Sequence, residues 1–225
     1  SKVSKKSWDT WPLAWILVNS GLCRRRSHED WGNCPREQGM RTYKIAVFVS
    51  GSGTNFQSIL DAMDREDFQS QVLLCHSNKE DAYGLERAKK HGIDCLVSRD
   101  DDEILQALES RGIDLIVLAG YLRILSDYFL ENFKGLILNI HPSLLPKYGG
   151  MGMYGIHVHE AVYAHGERES GATVHLVTGV VDGGQIILQE STSIEDCHSP
   201  EEIQAKVLKI EHRLLPKAIA HLEEV

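Results

Sequence analysis

The chain has 225 residues, enough for one well-packed domain and short for two of ordinary size. Apolar residues make up 42% and charged residues 25%, which excludes wholesale disorder, collagen-like sequence and a polytopic membrane protein. The formal net charge of -8 argues against nucleic acid, which needs a basic face, but leaves room for a local anion pocket of backbone amides.

The first forty residues differ from the rest. All four tryptophans lie there, with seven basic and four acidic side chains, a net of +3 that leaves -11 for the remainder. A targeting segment is one reading. However, the apolar stretch 11–18 is short, Arg24, Arg25 and Arg26 follow too soon, and no clean cleavage site appears. An upstream addition with Met40 as the natural start is the favoured reading. Residues 1–40 are expected to be a poorly ordered extension and 41–225 the working domain. Five scattered cysteines without CxxC spacing point to free thiols in a reducing, cytoplasmic setting. No apolar run approaches the ~20 residues that span a bilayer, so no membrane role is expected.

From residue 44 strands and helices alternate. Residues 44–50 form a β-branched apolar run, as a buried parallel strand should. A glycine-rich turn follows, then a helix over 55–63. Residues 72–76 read as a strand, 82–91 as a helix ended by Gly92, and 95–97 as a strand. Asp101, Asp102 and Glu103 open the next helix, where acids favour the dipole. Residues 115–119 and 136–139 are two more buried strands. A long loop covers 142–156, a helix 158–165, and a less regular strand pair 173–177 and 185–190. Ser199, Pro200, Glu201 and Glu202 open a last helix with apolar Ile203, Val207, Ile210 and Leu214. The expected fold is α/β: a doubly wound, mostly parallel, Rossmann-like sheet with a mixed C-terminal strand pair and a long last helix.

The turn from Ser50 to Asn55 would aim backbone N–H groups at a helix N-terminus, a ready anion site. A tight turn without a ligand is the alternative. A dinucleotide fingerprint fits poorly, because Phe56 stands where the third glycine should be, and no Gly-Lys-Ser/Thr marks a P-loop. A phosphate monoester held by Gly53, Thr54 and Asn55 is the best reading. Asn139 and His141, two residues apart at a strand end, suit acyl transfer: an amide steadies an oxyanion and an imidazole moves a proton. Asp182 sits in a glycine-flanked loop and gains meaning only if it approaches His141. His157, His159 and His165 lack the pattern of a metal site, and none is expected. No nucleophile elbow is present.

Five stretches together resemble the phosphoribosylglycinamide formyltransferase family: VSGSGTN (49–55), HSNKEDAYGLERA (76–88), LAGYLRILS (118–126), NIHPSLLPKY (139–148) and GATVHLVTGVVDGGQIILQ (171–189). The resemblance covers residues 44 to about 222. It implies the family's formyltransferase fold and transfer of a formyl group from 10-formyltetrahydrofolate to the amine of glycinamide ribonucleotide, in de novo purine biosynthesis. It makes Asn139, His141 and Asp182 the catalytic trio and puts Gly53, Thr54 and Asn55 on the phosphate loop. Glu211 becomes a contact to the ribonucleotide. Arg123, Ile124 and Leu125, with the loop Val177, Thr178 and Val181, become the folate pocket. A monomer or homodimer without metal is implied. After Tyr148, residues 149–157 replace a shorter Pro-Gly loop of familiar bacterial members, which leaves the roles of His157 and His159 open. Methionyl-tRNA formyltransferase and formyltetrahydrofolate deformylase share the core but carry further domains. A non-catalytic nucleotide-binding module would need neither Asn139 nor His141.

Overall fold

A computed structural model describes residues 40–225. The expected extension therefore lies, but for Met40, outside the described residues.

Among the described residues seven strands form one sheet in the order β3-β2-β1-β4-β5-β6-β7. They are β1 Lys44–Val49, β2 Gln71–Ser77, β3 Asp94–Val97, β4 Leu115–Leu118, β5 Leu136–His141, β6 Glu169–Leu176 and β7 Ile186–Ser193. The first five run parallel, and β6 and β7 pair antiparallel. Among the described residues five helices connect them, α1 Thr54–Asp64, α2 Gly84–Lys90, α3 Asp101–Ser110, α4 Asp127–Asn132 and α5 Ile156–Ala164, and a sixth, α6 Pro200–Glu223, follows β7. The doubly wound fold is as the sequence led us to expect. Among the described residues no helix is long and apolar enough to cross a membrane.

Strand β1 shows why its run is apolar on both faces. Ile45, Val47 and Val49 pack with Phe56, Ile59 and Leu60 of α1 and with α6. Ala46 and Phe48 pack the other way, with Ile104 and Leu108 of α3 and Phe129 of α4. Alternate side chains of a strand point to opposite faces, so a sheet covered twice needs both sets apolar.

The chain winds from β1 outward to β3, returns through β4 beside β1, then winds the other way. That reversal opens a crevice at the carboxyl ends of β1 and β4. The Ser50 hydroxyl ties it together: it donates to Asn78 Oδ1 at 2.6 Å and accepts the Leu122 N–H at 2.9 Å.

Several elements differ from the sequence reading, among them β6, which begins at Glu169 and not at 173, and β7, which runs on to Ser193 and not 190. Strand β5 continues two residues further and includes His141. Helix α4 was not foreseen, because six residues are too few for a helical period to show. Its cap is local all the same: Ser126 Oγ accepts the Phe129 N–H at 3.0 Å.

Helix α6 starts as expected, with Ser199 Oγ accepting the Glu202 N–H at 3.2 Å and Pro200 in the first turn. Its apolar face is buried at Ile203, Val207, Ile210 and Leu214. Removing the cap by Ser199→Ala is expected to lower stability by about 1 kcal/mol, read as a lower denaturant midpoint with unchanged slope.

Candidate active site

Successive residues on a strand face opposite ways, so Asn139 and His141 share one face of β5. His175 stands opposite Asn139 in the antiparallel register with β6. Asn139 Nδ2 donates to His175 Nε2 at 3.1 Å, while the other ring nitrogen of His175 lies 3.0 Å from the Leu176 carbonyl. The second Nδ2 hydrogen of Asn139 stays free for a ligand.

His141 Nε2 lies 2.8 Å from the Tyr148 carbonyl oxygen. A carbonyl only accepts, so Nε2 carries the hydrogen. The neutral ring then has its lone pair on Nδ1. Nδ1 is the atom 3.6 Å from Asp182 Oδ2. Asp182 Oδ1 lies 3.5 Å from His175 Nε2. Both separations are ion-pair range, longer than good hydrogen bonds. A third contact is tighter: the Gly150 N–H donates to Asp182 Oδ2 at 2.8 Å.

Asp182 reaches this place through the loop between β6 and β7. Its backbone is left-handed, φ 54°. Gly184 lets the loop close on β6, since a Cβ there would stand 1.6 Å from the Leu176 carbonyl oxygen.

Electrostatics divide the pair. Burial would raise the Asp182 pKa, but His175, the Gly150 N–H and His141 outweigh it and hold the carboxyl below its ordinary value. Burial is the largest influence on His141 and lowers it, against Asp182 and the Tyr148 carbonyl, which raise it. Asp182 is therefore a carboxylate and resting His141 a neutral imidazole. The Asp182 charge by itself favours an imidazolium, but in the folded chain desolvation outweighs it.

One cavity of about 740 Å³ joins these residues to Thr54, Asn55, Glu211 and the foreseen folate residues Arg123, Ile124, Leu125, Val177, Thr178 and Val181. Ile124 is 60% exposed, whereas Leu125 and Val177 pack against the core beneath. Arg123 is held by Asp101 at 2.9 Å. Behind that segment, buried His76 accepts from Tyr121 Oη at 3.0 Å, since its Nδ1–H is given to the Leu96 carbonyl.

Gly53 caps α1 at φ 71° with no side-chain cap, which leaves the first amides of the helix open. Arg87 of α2 donates to the Ser52 carbonyl at 2.8 Å and so places a cation beside the turn. Asn55 turns inward and donates to Glu211 Oε1 at 3.1 Å. Burial pushes the Glu211 carboxyl up to about 7 despite that bond. His159 is buried on α5 and lines the cavity, and its pKa falls to about 4. His157 instead lies outward, with Glu160 at 3.1 Å.

The sequence reading gave no role to His175, Arg87 or the Tyr148 carbonyl. His175 and Arg87 sit inside quoted motifs, and the signal for His175 was its inward parity with Thr173 on a strand. The backbone carbonyl had no signal. Among the described residues no group of three or more His, Cys, Asp or Glu could hold a metal ion.

A model of the formyl transferase family matches residues 43–219. The phosphoribosylglycinamide formyltransferase of Haemophilus influenzae is 44% identical over 190 residues, 80% of this chain and 87% of that protein. That of Escherichia coli is 40% identical over 185 residues, 78% of this chain and 85% of that one. The solved glycinamide ribonucleotide transformylase 1 of Symbiobacterium toebii superposes with a TM-score of 0.75 at 38% identity, covering 81% of this chain and 88% of that one.

Proposed function

The chain belongs to the phosphoribosylglycinamide formyltransferases, and from that premise we propose how its own residues carry the reaction. It transfers a formyl group from 10-formyltetrahydrofolate to the amine of glycinamide ribonucleotide, in purine biosynthesis. One observation carries the assignment of roles. Asn139, His141 and Asp182 converge in a single cavity that also reaches Thr54 and Asn55.

The open amides at the start of α1 hold the substrate phosphate, with Arg87 beside them. Asn55 and Glu211 take the polar body of the ribonucleotide. Arg123 meets an anionic or polar part of the folate. Ile124, Leu125, Val177, Thr178 and Val181 flank its ring. We place the reaction in the cytoplasm, on Cys75, Cys95 and Cys197, which form no disulfide among the described residues.

Neutral His141 accepts a proton at Nδ1 as the amine attacks the formyl carbon. The imidazolium so formed stands 3.6 Å from Asp182, which stabilises it. Asn139 Nδ2 donates to the developing oxyanion. His141 then returns the proton toward the departing folate nitrogen.

The test is folate product formation with and without glycinamide ribonucleotide. Turnover that requires the amine supports the reading. Turnover without it indicates a hydrolase, and none indicates a binding module.

Glu211 gives a pH-dependent prediction. Its folded pKa of about 7 stands above the ordinary 4.5. The fold therefore keeps this group's contribution below about 4.5 and loses it as pH rises through about 7, a difference on the order of 3 kcal/mol. Glu211→Gln should melt several degrees above the parent at pH 8 and level with it near pH 5. The same change should weaken ribonucleotide affinity at pH 8. A melting difference independent of pH would refute the ionised, buried carboxylate.

A further inference from the structure

A second concavity runs along the outer side of α1 and α6, a groove of about 730 Å³ that shares Thr54 with the catalytic cavity. Its walls are two helical stripes. Gln57, Asp61 and Arg65 recur at four-residue steps along α1 and its C-terminal cap. Lys209, Arg213 and Lys217 do the same along α6.

The lining is cationic on an acidic protein. Arg65, Arg87, Lys209, Arg213 and Lys217 stand against the carboxylates of Asp61 and Asp67, in a chain of net charge -8. Asp67 is taken by Arg65 at 2.8 Å, and Asp61 accepts from Gln57 at 2.9 Å. Arg213 Nε is held by Glu190 at 3.1 Å. Lys209 and Lys217 have no ion pair among the described residues. The last titratable group facing the groove is His212; burial and then Arg87 hold its pKa down, against Asp61.

Glu190 offsets Arg213 alone, so the stripe keeps the positive charge of Lys209 and Lys217 on either side of it. Its position runs from the outer surface toward the catalytic cavity. Lys209 lies two residues from Glu211, which lines the inner cavity. Lys217 lies about 12 Å further out, at ~1.5 Å per residue.

The geometry points to an electrostatic entrance track for the phosphorylated substrate. A phosphate monoester dianion is drawn in by Lys217 and Arg213 and guided past Lys209 and Arg87 to the open amides at Thr54. The inference rests on the reading above that those amides hold the phosphate. The track steers more than it binds, because its lysines are solvated and its arginines already have partners. Such steering raises association rates and fades with salt.

The test compares kcat/KM for glycinamide ribonucleotide from ~20 mM to ~0.5 M salt. The variants are Lys217→Glu alone and with Lys209→Glu. Lys134→Glu, between α4 and β5, serves as an equal charge change elsewhere. The double variant should lose about tenfold in kcat/KM at low salt with kcat unchanged, and the gap should close to about twofold at high salt. Lys217→Glu should fall between, and Lys134→Glu should stay near the parent. If charge reversal lowers the melting point, the milder Lys209→Gln, Lys217→Gln pair carries the test, with about threefold expected at low salt. No loss at low salt, an undiminished loss at high salt, or an equal loss in Lys134→Glu would each overturn the track. Those results leave the catalytic reading intact. A parent protein that fails to turn over the ribonucleotide at all would remove that reading, and the track with it.

Discussion

Replacing Asp182 by asparagine is expected to lower kcat by about 10²–10⁴-fold, the range for losing a proton-transfer group. The side chain keeps its shape, and its oxygen can still accept the Gly150 N–H that now meets Oδ2 at 2.8 Å. What disappears is the charge 3.6 Å from His141 Nδ1. His141→Ala should cost a comparable factor, and the double variant little more than either, because both serve one imidazolium. Substrate affinities should change little, as measured by folate titration. The pH profile supplies a second readout. Asp182 raises the His141 pKa against burial, so removing it lets that pKa fall further. Since neutral His141 accepts the proton, the acid limb of kcat/KM should move to lower pH. Multiplicative losses from the single changes, or a profile lowered without moving, would mean that the two residues work independently.

Gly53→Val should abolish useful binding of glycinamide ribonucleotide. A tenfold to hundredfold rise in its KM corresponds to about 1.4–2.8 kcal/mol. The cause is backbone, not occlusion of the cavity. Gly53 sits at φ 71°, and a Cβ there would stand 2.7 Å from the Gly84 Cα of α2. A branched residue must leave the left-handed region or push α2 away, and either moves the first amides of α1. Strain and overpacking together should also lower stability by about 2–4 kcal/mol. Thr54→Ala leaves those amides in place and should change KM only slightly. Folate affinity should hold in both, because Arg123, Ile124 and Leu125 are carried by the segment after β4. Equal weakening of both ligands would move the phosphate away from this turn.

Much of this was legible in the chain. The apolar run 44–50 could only be a strand buried on both faces, and the core on each side of β1 bears this out. The first turn of α6 was written in local capping chemistry and that of α3 in its run of acids, and both depend on residues only a few positions apart. Helix α4 was not legible, because its cap is local but its packing residue, Phe129, is too isolated to set a period.

The site divides in the same way. The placing of Asn139 and His141 on one face of β5 follows from their spacing alone, because a strand alternates every residue. The approach of Asp182 does not follow from sequence. It depends on the β6–β7 loop folding back, on a left-handed residue and on a glycine close against the Leu176 carbonyl. The pairing of Asn139 with His175 needed the antiparallel register, which is settled between strands and not within one. The resting charge of His141 was beyond the sequence for a related reason. Neighbouring charges can be guessed from motifs, but desolvation is a property of everything packed around the ring, and here it outweighs the carboxylate.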